Sequence, residues 1–128
     1  MEQKYIIGDI VEYDNKVMVV KEPRDGSHFD LSCPKEGLVY CLVDIDEIKP
    51  VSLTQEILKK NGWMLYRMYH WFIEKECLKL SLLELDNHSW YVYIGDNLIR
   101  RNMHSVSDLQ HILFGLGLNS EMEVLVWN

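Results

Sequence analysis

His104, Asp108 and His111 fall at i, i+4 and i+7. A helix that began early enough would stack all three on one face, and two imidazoles with a carboxylate are a familiar ligand set for a divalent metal. Ser105 or Ser107 is better suited to cap that helix, which leaves His104 ahead of its start. The expectation is therefore a solvated polar face, with no metal and no cofactor. Cys33, Cys41 and Cys77 are odd in number and form no CxxC pair. They fit neither a disulfide framework nor a zinc site and read as reduced, partly buried thiols. No local sequence marks any of them as a nucleophile or lowers its pKa. Glu74, Glu76, Glu84 and Asp86 offer carboxylates for acid–base work, but acidic residues in strands and turns usually face water. Neither "FGLGL" nor "DGSHFD" is a phosphate loop: the first follows a helix instead of opening one, and neither carries GK[ST]. No acid, base and nucleophile come together, so the chain is expected not to be an enzyme.

Binding is the other chemistry to weigh. "WMLYRMYHWF", residues 63–72, holds six rings: Trp63, Tyr66, Tyr69, His70, Trp71 and Phe72. Tyr66, Arg67, Tyr69, His70 and Trp71, with Tyr91 and Tyr93 on a neighbouring strand, would make a stacking surface, and Arg100 and Arg101 could hold phosphates. Base–aromatic stacking is worth ~1–3 kcal/mol per base. Cations are sparse, however: between residues 63 and 93 there are only Arg67, Lys75 and Lys79. Rings in strands more often pack inward, each burying a large apolar area. The reading favoured here places most of these rings in the interior.

Charge points the same way. The formal net charge is −7 over 128 residues. Residues 1–50 carry six Lys/Arg against eleven Asp/Glu, and residues 51–128 carry seven against nine. An acidic field repels phosphate, which makes nucleic acid the less favoured partner and an unidentified protein the more favoured one. The chain opens without a basic segment followed by an apolar run, and no stretch nears the ~20 apolar residues that span a bilayer. A cytoplasmic protein with no membrane contact is expected; the oligomeric state is left open.

The elements that must position these residues follow from turn chemistry and periodicity. Asp14-Asn15 joins "GDIVEY" to "KVMVVKE" as a hairpin. Pro23 and "RDGS" end it, "HFDLSC" is a third strand, "LVYCLVDI" a fourth, and "EIKPV" a short fifth. Residues 52–61 form a short helix with Thr54 as its cap and Gly62 just past its end. Residues 64–75 then give one strand or a bent pair, followed by "CLKLSLLEL", "SWYVYI" and "NLIRR". As one strand, Met64, Tyr66, Met68, His70 and Phe72 would share one face, and Trp63, Leu65, Arg67, Tyr69 and Trp71 the other. Val106, Leu109, Ile112, Leu113 and Leu116 recur at helical spacing, with Ser105 and Asp108 as a capping box, and "EMEVLVW" returns as an edge strand.

Three pieces of the chain, "IGDIVEY", "PVSLTQEILKKNGW" and "VSDLQHILFGLGL", together resemble a family of short, uncharacterised proteins from anaerobic gut bacteria and their phages and mobile elements. That family pairs an IG-[D/N]-x-V opening with an LT-x-E-x-L-x-x-x-G-[FW] segment and a VHQLQ-like closing helix. Ser107-Asp108 stands where the pattern often has His-Gln, so no histidine role carries over there. The resemblance implies one continuous architecture and a mobile-element setting, and it supplies no activity.

The expected fold is α+β: an N-terminal SH3-like small β-barrel or curved sheet over residues 1–51, then a short helix, an antiparallel sheet and a covering C-terminal helix over residues 52–128. The expected function is that of a non-catalytic accessory or protein-interaction protein of phage or mobile-element origin. The alternative is a nucleic-acid-associated protein using Tyr66, Arg67, Tyr69, Trp71, Tyr91, Tyr93, Arg100 and Arg101.

Overall fold

The computed structural model describes residues 5–75, 78–85 and 87–122. By contact, the chain divides into two compact units. One runs to Ser52 and resumes at Ser105; the other is Leu53–His104, inserted between them in sequence. Both are built on antiparallel sheets, so the fold is α+β.

The first unit opens with β1 (Ile10–Tyr13) and β2 (Lys16–Pro23). Asp14 and Asn15 join them with φ of 53° and 59°, the left-handed conformation of a two-residue hairpin turn, which short polar side chains tolerate. β3 (His28–Cys33) and β4 (Leu38–Asp44) follow, then β5 (Lys49–Pro50). The order is β4-β3-β2-β1-β5, so β4 and β5 are edges and the sheet is not a closed barrel. Val11, Met18, Val20, Phe29, Leu31 and Val43 are buried together with Tyr5, Cys33 and Ile48, and they form this unit's core.

The covering helix, α2 (Val106–Gly115), belongs to this unit and not to the sheet of residues 64–104, a correction to the expected 52–128 grouping. The reason lies at β1. Strand β5 matches only Val11 and Glu12, so the rest of that side of β1 has no ladder partner there. Gln110 fills the gap: its Oε1 accepts from the Ile10 N–H at 2.8 Å, and its Nε2 donates to the Gly8 carbonyl at 2.8 Å. A side chain amide thus replaces the missing strand. Ser105 caps α2 with the expected capping box to Asp108, while Val106, Leu109 and Leu113 are buried. The expected strand "EMEVLVW" begins at Glu121; Glu121 and Met122 are not in a strand, and the remainder lies outside the described residues.

The inserted unit starts with α1 (Gln55–Lys60), whose cap Thr54 accepts from the Ile57 N–H. At its end Gly62 adopts φ 88°, the Gly62 N–H donates to Lys59 and the Trp63 N–H to Leu58. These two bonds close a Schellman motif and turn the chain into the sheet. That sheet is β6 (Met64–Arg67), β7 (His70–Lys75), β8 (Leu78–Glu84), β9 (Trp90–Ile94) and β10 (Asn97–Met103), in the order β10-β9-β8-β7-β6. The ring-rich stretch is therefore a bent pair, with its turn at Met68-Tyr69 and Tyr69 at φ 68°. At the neck of the insertion, Ser52 and Ser105 form an antiparallel bridge. The Val106 N–H donates to Val51, and the Leu53 N–H donates to His104. No helix among the described residues is long and apolar enough to cross a membrane.

Candidate functional site

Side-chain alternation gives the inserted sheet two unlike faces. Trp71, Leu80, Leu82, Trp90 and Val92 point one way and are buried. The other face is open. Across all five strands the register lines up Met64, Phe72, Ser81, Tyr93 and Leu98. The next row is His70, Leu83 and Tyr91. Ser81 is the smallest side chain in its row and sits between two rings, so it leaves a hollow. The resulting groove of ≈ 380 Å³ is lined by Tyr66, His70, Phe72, Ser81 and Tyr93, with Asp96 and Lys79 at its rim. Phe72 and Tyr93 lie on strands two spacings apart, about 9.6 Å, which is room for one flat ring between them.

The rings order one another. Tyr66 meets His70 edge-on at 5.8 Å and Phe72 at 6.3 Å. Each of three rings also carries a cation: Arg67 lies 5.0 Å from the Tyr66 centroid, Lys79 5.5 Å from Phe72, and Arg101 5.8 Å from Tyr91. All three cations are exposed. Cation–π contact holds such side chains near the rings while leaving their charge in water.

The placement corrects the interior reading of the ring-rich stretch. Trp63 and Trp71 are buried, each 5% exposed, but Tyr66 is 59% and Tyr69 51% exposed. Tyr91 and Tyr93 are half-buried, and Arg67, Arg100 and Arg101 are exposed. The sheet therefore gathers Tyr66, Tyr91 and Tyr93 with Arg67 and Arg101 on the open face. Trp71 is turned to the opposite face, Tyr69 sits in the turn, and Arg100 is paired with Val92 between two bulges of β10. Phe72, Lys79 and Ser81 were missed as members of this surface. Alternation along β8 would have found Lys79 and Ser81 once β8 was known to lie between β7 and β9.

Charge is divided unevenly between the two units. The unit formed by residues up to Ser52 and from Ser105 carries six Lys/Arg and fourteen Asp/Glu, whereas Leu53–His104 carries seven and six. Asp108, Glu121 and Glu123 belong to the first of these units, although they follow the inserted one in sequence. The acidic excess lies entirely outside the inserted sheet.

The metal candidates are separated by their own partners. Asp108 is engaged in the capping box, and His111 pairs with Asp9 through its Nε2. No group of three His, Cys, Asp or Glu suited to a metal occurs among the described residues. Cys33 is buried, Cys41 is exposed, and Cys77 lies outside the described residues, as do Glu76 and Asp86. Glu84 accepts from Gln55 Nε2 at 2.8 Å.

No protein-family model, curated protein or solved structure matches the chain.

Proposed function

We propose that this is a non-catalytic accessory protein that recognises single-stranded nucleic acid on the open face of its inserted sheet, in the mobile-element setting that its sequence motifs suggest. One observation carries the reading: the Phe72–Ser81–Tyr93 row, a ring-walled hollow with Tyr66 and His70 beside it and exposed cations at its margins. A base stacks in the hollow between Phe72 and Tyr93. The backbone on either side runs past Arg67, Lys79 and Arg101, which meet its phosphates. Stacking tolerates any base, because every base has a π-face. The face adds hydrogen-bonding groups from His70, Ser81 and Asp96 that can bias the choice.

The test is a fluorescence titration of the full chain with short oligothymidine and oligouridine. Tyr66→Ala and Tyr93→Ala are each expected to weaken binding by ~1–3 kcal/mol. With three cations on the strand, log K should fall against log salt with a slope of about −2. Flat titrations at low salt would remove the proposal.

A protein contact is the second reading, favoured by strand β6. Met64, Leu65 and Tyr66 are all more than half exposed there, and Met68 in the adjoining turn is 77% exposed.

A further inference from the structure

Among the described residues that line the groove there is one carboxylate, that of Asp96. The turn from β9 to β10 places it there. Gly95 takes φ 57°, and its N–H donates to the Lys79 carbonyl at 2.9 Å, which pins the turn beside β8 at one end of the hollow. Lys79 lies two residues from Ser81 on β8, so its side chain leaves from the same face. The row of His70, Leu83 and Tyr91 marks the other end. Asp96 is exposed and makes no hydrogen bond or ion pair with another described residue, so both of its oxygens are open to a ligand. Glu74 stands opposite Lys79 in the register but does not line the groove.

We infer that the groove selects guanine and that Asp96 makes the choice, a step that rests on the nucleic-acid reading above. A carboxylate only accepts hydrogen bonds, and two neighbouring N–H groups on one edge satisfy both of its oxygens at once. Guanine alone among the bases has that edge, because N1–H and the N2 amine lie side by side on it. Adenine and cytosine offer one amine beside a bare ring nitrogen, whose lone pair would face the second oxygen. Thymine and uracil offer one N–H between two carbonyls. Unstacked bases are read on this Watson–Crick edge when a side chain can reach it. With the ring held between Phe72 and Tyr93, that edge turns to the Asp96 end, and the Ser81 hydroxyl on the floor donates to O6. Lys79 at the same end offsets the repulsion between the carboxylate and the phosphates of the strand.

Fluorescence titration of the full chain with TTGTT, TTATT, TTCTT and TTTTT tests it, with inosine in place of guanine as a fifth strand. TTGTT should bind about tenfold more tightly than the other three. The inosine strand lacks the N2 amine and leaves the protein untouched; it should fall between them. Asp96→Asn trades one acceptor for a donor and should bring TTGTT down to the level of TTTTT. Asp96→Ala should do the same, and since the position is exposed in a turn, neither change disturbs the core. Equal binding of all five strands, with Tyr93→Ala weakening each, overturns the choice of guanine and leaves the stacking reading standing. A guanine preference that persists in both Asp96 variants overturns the role given to Asp96. Binding of none of the strands overturns both readings together.

Discussion

Asp9 and His111, 102 residues apart, are joined by a hydrogen bond between carboxylate and imidazole that ties α2 to the start of β1. Asp9 is 1% exposed and also accepts from the Ile6 N–H at 2.9 Å. Burial raises its carboxyl above the ordinary range; the Ile6 N–H and His111 pull the other way, and Asp108 adds a small push upward. The same surroundings, burial first and then Asp9 and Asp108, raise the Tyr5 hydroxyl.

That arrangement predicts a pH-dependent cost for losing His111. A carboxyl whose pKa rises on folding favours the native state below its unfolded value, and this contribution declines as pH climbs through the raised value. Removing His111 takes away a group that favours the carboxylate, so it raises Asp9 further and leaves a buried charge poorly partnered at neutral pH. The stability gap between His111→Ala and the parent should widen by about 1–3 kcal/mol between about pH 4 and pH 7. Urea unfolding at the two pH values measures it, and a gap that stays constant would refute it.

Gln110 is 2% exposed and serves three backbone groups, the third being the Ser120 carbonyl at 3.0 Å. Gln110→Leu preserves much of the volume and removes every one of these bonds. We expect a loss of about 1–3 kcal/mol for each backbone group left without a partner or water. Faster amide exchange at Ile10 should accompany the loss, since its N–H is freed. An unchanged unfolding midpoint would contradict the role assigned to this side chain.

Gly62 has a positive φ, and an added Cβ would meet only Ile73 Cδ1 at 3.9 Å, an ordinary contact. The cost of Gly62→Ala is thus conformational and not steric, about 1–2 kcal/mol for a left-handed residue with a side chain. It should appear as a lower urea midpoint with an unchanged slope.

What could be read from the sequence was what short-range chemistry decides. Asp14-Asn15 demands a tight hairpin, Thr54 and Gly62 bracket a helix, and Ser105 with Asp108 starts another; each rule spans a handful of residues. The allegiance of α2 was not legible. Its apolar stripe says that one side is covered, but Gln110 finds Ile10 100 residues away. Alternation sorted Tyr66, His70 and Phe72 onto one side of a strand and Trp71 onto the other. Which side would be buried is decided by what the sheet packs against, and no strand carries that information. The aromatic platform stands second in the sequence partly because charge counted on either side of residue 50 ignores a boundary that the chain crosses twice.

The paired neck at Ser52 and Ser105 has a consequence for biosynthesis. A ribosome completes residues 53–104 before it delivers α2, so on the nascent chain the inserted sheet is whole while its host still lacks the helix that seals β1. Until then the Ile10 and Gly8 backbone groups must be served by water. Folding by units during synthesis would finish the later-begun one first.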